Sequence, residues 1–332
     1  MLPVIDFNMV NTVQYEYLRN ANFSTRGVED TLAKMYGAEK VFLTNSGMEA
    51  ICTLIDTLLP CGGKVVIDRD AYYETRQWLE MSRRFRVVEV DCGDLSAVEE
   101  ALTGADLLFF DYPSHFARFY PVTALCHAAQ DHGAVSVVDN TLLSLYYENP
   151  LLSGADYVVE SYTKYVCGHG DCMAGGIVCP KKPDDEFSTY IGRRGRVVSP
   201  LTAYFVARGL ETLDVRMQRH TENARFVSAA LTEEGYEHWY AGKGSCIILP
   251  GKTKDFAELL KKFQLNMTFG TTYSTSSAVR SADLYNTVGN YVRLHCGLED
   301  KRTLRDDVLA ALRVWELKGE RRSDRTANVA TS

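Results

Sequence analysis

Residues 154–171 read GADYVVESYTKYVCGHGD. The apolar, β-branched run ending at Val159 has the composition of a strand covered on both faces. Just behind it Lys164 stands between hydroxyl and aromatic residues, and a loop carrying Gly168 and Gly170 follows. A strand-end lysine ordinarily points into water, but an amine placed there can also be used chemically. The local sequence does not separate the two readings.

Outward from this stretch, the same pattern repeats. KVFLT (40–44), KVVID (64–68), RVVEV (86–90), ADLLFF (105–110), AVSVVD (134–139), ADYVVE (155–160) and GGIVCP (175–180) are short and apolar almost throughout. Helical stretches lie between some of them. Met48 to Leu59 carries an apolar stripe, and DLSAVEEAL and VTALCHAAQDHG read the same way. Strands of this kind alternating with helices predict an α/β fold with a mainly parallel sheet. LTAYFVARGLETLDVRMQRHTENARFVSAALTEEG (201–235) predicts a long helix interrupted at Gly209 that leads into a second domain. There SCIILP, KDFAELLKKF and YVRLHC predict a smaller α+β unit.

Composition excludes several classes. The chain has 332 residues, 46% of them hydrophobic, which is enough for a large domain and a smaller one. Its formal charge is −7, and the Arg83-Arg84, Arg193-Arg194 and Arg321-Arg322 pairs are too short and scattered for a nucleic-acid groove. Nine scattered cysteines, an odd number without framework spacing, suit a reducing compartment. The N-terminal residues show no basic region followed by an apolar one, and no apolar run approaches the roughly 20 residues of a membrane helix. The expectation is a soluble, cytoplasmic protein.

Two further stretches carry chemistry beside Lys164. NSGMEAI (45–51) lies between a strand and a helix, where small residues leave backbone N–H groups free for an anion. Alone, it reads as readily as an N-cap by Ser46. VVDNT (137–141) puts Asp139 at the end of an apolar strand, where a capping role is the commoner one. Ligands of open α/β sheets bind beyond the carboxyl ends of the strands, and both Asp139 and Lys164 fall at such ends. An acid, an amine and an anion-binding turn at one sheet edge are what pyridoxal phosphate requires.

In that order the motifs resemble the Cys/Met-metabolism family of pyridoxal-phosphate enzymes, which includes cystathionine γ-synthase, cystathionine lyases and methionine γ-lyase. YLRNANFSTRGVED resembles the family's Y-x-R-x-x-N-P-T stretch, and SGM and DNT match as they stand. GADYVVESYTKYVCGHGD resembles its Schiff-base segment, SPLTAYFVARGLETLDVRMQRHTENA its post-lysine helix, and YVRLHCGLED its carboxylate-binding segment.

The resemblance implies a fold-type I pyridoxal-phosphate enzyme, with a mainly parallel seven-stranded sheet domain and a smaller α+β C-terminal domain. It implies an N-terminal arm (1–25) contacting the neighbouring subunit, a cofactor-binding domain (26–215) and a small domain (216–317). Residues 318–332 lack apolar periodicity and are expected to be a disordered tail. Lys164 would be the Schiff-base lysine and proton shuttle, and Asp139 the partner of the pyridinium nitrogen. Ser46, Gly47, Met48, Ser161 and Thr163 would bind the phosphate. AYYET (71–75) resembles the family's Y-G-G-T, making Tyr72 the ring stacked on the cofactor and an acid/base. Tyr17 and Arg19 would reach the phosphate of a neighbouring subunit, which makes a homodimer the catalytic unit and a tetramer the expected assembly. Arg293 would clamp the substrate α-carboxylate, with Thr268 as a second contact.

The chain departs from the family pattern at several points. His115, in DYPSHF, stands where the family has the asparagine of E-S-P-x-N-P, beside the cofactor oxygen and substrate carboxylate. Phe23 replaces a proline and Tyr273 a glutamate. Cys167, His169 and Cys172 could form three legs of a zinc site, but no fourth ligand follows at zinc-like spacing, and no metal is expected. The implied activity is elimination or replacement at the γ (or β) carbon of a small α-amino acid, through quinonoid and vinylglycine-type intermediates. The leaving group would be a thiol, an activated hydroxyl or a halide. An aminotransferase of the same fold and a non-catalytic cofactor-binding protein are the alternatives.

Overall fold

The structure is a computed structural model that describes residues 22–183, 187, 189–190, 197–266, 268–279 and 290–329. The chain divides into two units, Met1–Val215 and Arg216–Ser332. Tyr17 and Arg19 lie outside the described residues.

All seven predicted strands of the first unit form. They are β1 (Lys40–Thr44), β2 (Gly63–Asp68), β3 (Phe85–Val90), β4 (Leu107–Asp111), β5 (Val135–Asp139), β6 (Tyr157–Glu160) and β7 (Gly175–Cys179). They make one sheet in the order β1-β7-β6-β5-β4-β2-β3, in which β7 alone runs against the others. Successive side chains of a strand point to opposite faces, and both faces are covered. Val66, Leu108, Phe110, Val138 and Val158 face a core completed by α1 (Phe23–Tyr36), α4 (Leu95–Leu102) and α5 (Val122–Asp131). Val65, Ile67, Phe109, Val137 and Val159 face one completed by α2 (Gly47–Leu58) and α3 (Tyr73–Ser82). The parallel register sets Asp111 at the end of β4 directly beside Asp139 at the end of β5.

α1 shows why one departure is harmless. Asn22 caps it, its Oδ1 accepting from the Thr25 amide at 2.8 Å. Phe23 is therefore the first helical residue, a position where proline is merely favoured.

The segment after Lys164 is two helices, Pro200–Leu210 and Leu213–Glu233. Gly209 lies inside the first of them, so it is not the predicted interruption. A Cβ there would stand 2.1 Å from the Val166 carbonyl oxygen and 2.7 Å from Cys167 Cα. Glycine is needed for the close approach of helix and lysine loop.

The second unit is a five-stranded sheet in the order β10-β11-β12-β9-β8, built from β8 (Trp239–Tyr240), β9 (Cys246–Pro250), β10 (Gln264–Leu265), β11 (Thr275–Val279) and β12 (Tyr291–His295). Val292, Leu294, Ile247 and Leu249 pack on Leu304, Val308 and Leu312 of the C-terminal helix Lys301–Val329. That helix runs on into the stretch expected to be a disordered tail. No proline interrupts 318–329, and alanine, glutamate, arginine and lysine there favour the helical backbone even without an apolar stripe. The predicted helix over KDFAELLKKF is cut short at Ala257, because the Asp307 carboxylate takes the amides of Lys261 and Lys262. No helix among the described residues is long and apolar enough to cross a membrane.

Candidate functional site

Those predicted residues of the first unit that the structure describes gather at the carboxyl edge of its sheet. Asp139 ends β5 and is buried. Its Oδ1 accepts from the Thr141 amide at 2.9 Å and from the Thr141 hydroxyl, while Oδ2 takes no hydrogen bond among the described residues. Burial pushes the Asp139 carboxyl up to about 6, against the pull of the Thr141 bonds and the positive charge of Lys164. Lys164 is half-buried in a turn past the end of β6, its amide donating to the Ser161 carbonyl at 3.1 Å. The Ser161 amide in turn donates to Thr141 Oγ1 at 2.8 Å. One threonine thus ties the carboxylate to the lysine turn.

The SGM turn meets the same place. Ser46 caps α2, its Oγ accepting from the Glu49 amide at 3.0 Å, and the Glu49 carboxylate reaches back to Asn45. This is a capping-box arrangement that leaves the first-turn amides of Gly47 and Met48 to face an anion. A Cβ on Gly47 would stand 2.7 Å from Ser161 Cβ, and one on Gly175 would stand 2.4 Å from the Ser46 carbonyl oxygen. The helix start is pressed between the lysine turn and β7, where no larger residue fits. Ser161 Oγ has no hydrogen-bond partner among the described residues and lies beside these amides.

Thr163 has a different place from the one expected. Its hydroxyl donates to the Ala174 carbonyl at 3.1 Å and accepts from the Ala174 amide at 3.1 Å. With its proton engaged it holds the loop rather than presenting a donor to phosphate.

On the other side of Asp139 stands Tyr72. It precedes α3, its amide donating to Asp111 Oδ2 at 3.0 Å. Its ring stacks on His115 at 5.4 Å between centroids, and Tyr73 packs edge-on against it at 5.2 Å. His115 is buried, with Nδ1 3.5 Å from Asp111 Oδ2. Burial raises the Asp111 carboxyl well above the carboxylate range, reinforced by the charge of Asp139. Asp111 and Thr141 are site residues that the sequence reading passed over. Asp111 carried the same signal as Asp139, an acid closing an apolar strand.

In the second unit Arg293 is buried on β12, 5% exposed. Its Nε donates to Ser277 Oγ at 3.4 Å, and its Nη1 has no hydrogen-bond partner among the described residues. A buried guanidinium with a free donor is a site for an anion. Thr268 lies in a loop that the Glu299 carboxylate anchors through the amide and hydroxyl of Ser274, at 2.7 and 2.8 Å. The Thr268 carbonyl accepts from Thr275 Oγ1 at 2.9 Å, and Tyr273 is half-buried in the same loop. Glu299, in the GLED stretch, is a positioning residue that sequence reading also missed. Among the described residues no group of three His, Cys, Asp or Glu side chains could hold a metal ion.

The donor set fits pyridoxal phosphate. A buried acid with one oxygen free, an amine acting on it, and a helix start cradled by glycines beside an unpartnered hydroxyl match its ring nitrogen, aldehyde and phosphate.

Comparison with known proteins agrees. The model of the family described as "Cys/Met metabolism PLP-dependent enzyme" matches residues 5–242. Cystathionine γ-synthase of Escherichia coli is 36% identical over 220 residues, 64% of this chain and 57% of the relative. L-methionine γ-lyase of Pseudomonas putida is 35% identical over 227 residues, 66% of this chain and 56% of the relative. The aligned part is thus little more than half of these relatives' length. The crystal structure of metB from Corynebacterium glutamicum superposes with a TM-score of 0.88 at 26% identity, covering 94% of this chain and 92% of that one.

Proposed function

The chain belongs to the Cys/Met-metabolism family of pyridoxal-phosphate-dependent enzymes, and from that premise we propose that it carries out elimination or replacement at the γ (or β) carbon of an α-amino acid. The observation that carries the reading is the Asp139–Lys164 pair at the sheet edge, with one carboxylate oxygen left free.

When bound, the cofactor supplies an electron sink for negative charge at the substrate Cα. Lys164 would hold it through its amine, Asp139 Oδ2 would keep a proton on its ring nitrogen, and the Gly47 and Met48 amides with the Ser46 and Ser161 hydroxyls would hold its phosphate. Once substrate occupies the aldehyde position, the freed Lys164 Nζ takes the proton from Cα. For γ chemistry, Lys164 would first pass that proton to the carbon of the former aldehyde and, neutral again, would take one from Cβ, which would let the γ-substituent leave. Tyr72 would give the leaving group a proton. Arg293 would bind the α-carboxylate through two parallel hydrogen bonds, an arrangement that suits its free Nη1. Tyr17 and Arg19 of a neighbouring subunit would complete the phosphate site, making a homodimer the working unit. The departures at His115 and Tyr273 support a specialised biosynthetic substrate as a candidate beside those of methionine and cystathionine metabolism.

The test has two parts. Purified protein given pyridoxal phosphate should show a visible absorption band that Lys164→Ala abolishes; a band unchanged in that variant defeats the proposal. A panel of amino acids with β- or γ-leaving groups is then scored for 2-oxo acid, ammonia and released group. Amine transfer to a 2-oxo acid without loss of a side-chain group would replace the proposal with an aminotransferase.

A further inference from the structure

The most distinctive cluster at the sheet edge is not the lysine turn but the group formed by Tyr72, Asp111 and His115. Asp111 Oδ2 does two things at once: it accepts the Tyr72 amide at 3.0 Å and faces His115 Nδ1 at 3.5 Å. The histidine ring lies on the tyrosine ring, centroids 5.4 Å apart and planes 29° from parallel. The His115 amide is fixed as well, donating to the Asp70 carbonyl at 3.2 Å. The residue is therefore held at its backbone and at one ring face, while its buried Nδ1 faces the Asp111 carboxyl without a hydrogen bond among the described residues, close enough to pair with it once protonated.

The surroundings are strongly acidic. Asp111 and Asp139 end neighbouring strands, and Asp68 and Asp70 lie at and just beyond the end of β2. All four are buried. Among the described residues the cations near them are Arg118, bonded to Asp70 at 2.7 Å and also to Asp91, and Lys164, which acts on Asp139. Other titratable neighbours among the described residues include Tyr73, edge-on to Tyr72, Tyr120, within 3.5 Å of Asp70, Cys92 beside Asp68 and Glu160 beside Asp139. Burial raises the Asp111 carboxyl well above the carboxylate range, so the two side chains share one proton; when it rests on His115, the imidazolium faces an ionised Asp111 and attracts the face of Tyr72. A neutral imidazole does neither.

We propose that His115 is a positioning residue for Tyr72: its imidazolium, paired with Asp111, holds the tyrosine ring at the sheet edge, so that turnover falls on the alkaline side as His115 loses its proton. This rests on the acid–base role of Tyr72 proposed above. An asparagine, which the family pattern has at this place, would hold the same backbone but bring no titrating charge. The device therefore belongs to this chain.

The decisive measurement needs neither cofactor nor turnover. Histidine-labelled protein, cofactor-free, is titrated by NMR and the His115 signal identified by its loss in His115→Asn. Asp111→Asn, whose side-chain oxygen can still accept the Tyr72 amide, should lower the His115 midpoint by about one pH unit or more. Tyr72→Leu should lower it by about half a unit. In the loaded enzyme, His115→Asn should keep the visible band while the alkaline limb of kcat/KM against pH disappears or moves by about a unit or more. A His115 midpoint unmoved by Asp111→Asn, or superimposable pH profiles for wild type and His115→Asn, overturns the proposal. Absence of turnover with every amino acid would defeat the proposed activity, while the NMR titration would still decide the pair.

Discussion

Replacing Gly209 by alanine sets two effects of opposite sign against each other. Inside a helix, alanine is favoured over glycine by about 1 kcal/mol. The helix Pro200–Leu210 would therefore gain stability if the residue had space around it. The structure denies it that space. The added Cβ would stand 2.1 Å from the Val166 carbonyl oxygen, 2.7 Å from Cys167 Cα and 2.8 Å from the Cys167 carbonyl oxygen. All three are backbone atoms, so no side chain can swing aside. Relief requires helix and loop to part by roughly 1 Å, and overpacking of this kind costs about 1–3 kcal/mol.

With the cost at the upper end of that range, the net destabilisation is about 2 kcal/mol. For a unit of this size that is a fall in Tm of about 4–8 °C. The displaced loop is the one that carries Lys164, and the contact on it is made by Val166 and Cys167. Cofactor affinity should therefore fall together with stability. Thermal unfolding of the cofactor-free protein and a cofactor titration followed by absorbance read the two effects separately. A variant more stable than wild type, by the amount helix propensity alone supplies, would refute the close approach.

The division of labour between Ser161 and Thr163 is testable by contrast. Ser161→Ala should leave stability within about 0.5 kcal/mol yet weaken cofactor binding about 10- to 100-fold, since a hydrogen bond to a charged group is worth about 1.5–3 kcal/mol. Thr163→Val should instead destabilise the cofactor-free protein by about 1–3 kcal/mol, because it leaves the Ala174 amide without its partner, while the Ala174 carbonyl keeps the Thr163 amide. Arg293→Lys should lower kcat/KM by about two to three orders of magnitude while leaving the visible band intact, and equal activity would remove Arg293 from the site. For pH, Glu160 is fully buried against Tyr36, and burial pushes its carboxyl from 4.5 up to about 8. Between those values the folded chain holds a proton that the unfolded chain has lost, so stability falls as pH rises through the window, by at most about 1.4 kcal/mol per unit. Burial pushes Asp68 up to about 7, and it acts in the same direction. Urea denaturation across pH 5–8 should show a shallower fall for Glu160→Gln than for wild type, and parallel curves would contradict the assignment.

The sheet was legible because strands buried on both faces leave unbroken β-branched runs, and such runs end where ligands bind. Lys164 and Asp139 were placed by that rule alone. Contacts distant in sequence were not legible. Nothing in KDFAELLKKF announces that Asp307 will take the amides of Lys261 and Lys262 and end the helix. β11, TSSAV, lacks an apolar run because Ser277 faces Arg293 across the pair of strands. The family resemblance makes Thr163 a phosphate ligand, but sequence does not reveal that its hydroxyl also meets the carbonyl and amide of Ala174. Gly209 showed the helix-breaking tendency of glycine and concealed the backbone pressed against it.

These particulars explain how the chain can depart from its family at His115 and keep the cofactor site. Gly47 against Ser161, Gly175 against Ser46 and Gly209 against Val166 are all approaches that an added Cβ would block. They fix the phosphate turn and the lysine turn through main chain, and Thr141 fixes Asp139 to the same frame. None of these contacts passes through His115. The His115 ring meets the site by way of Tyr72 and Asp111, on the β4 side of Asp139. A substitution there changes which proton is held beside the acid–base tyrosine while leaving intact the frame that holds the lysine. His115→Asn should accordingly alter the pH profile and substrate preference with little change in cofactor affinity, whereas Gly47→Ala should reduce cofactor affinity first. The opposite ranking of the two variants in a cofactor titration would show that the two sides of the site are not separable in this way.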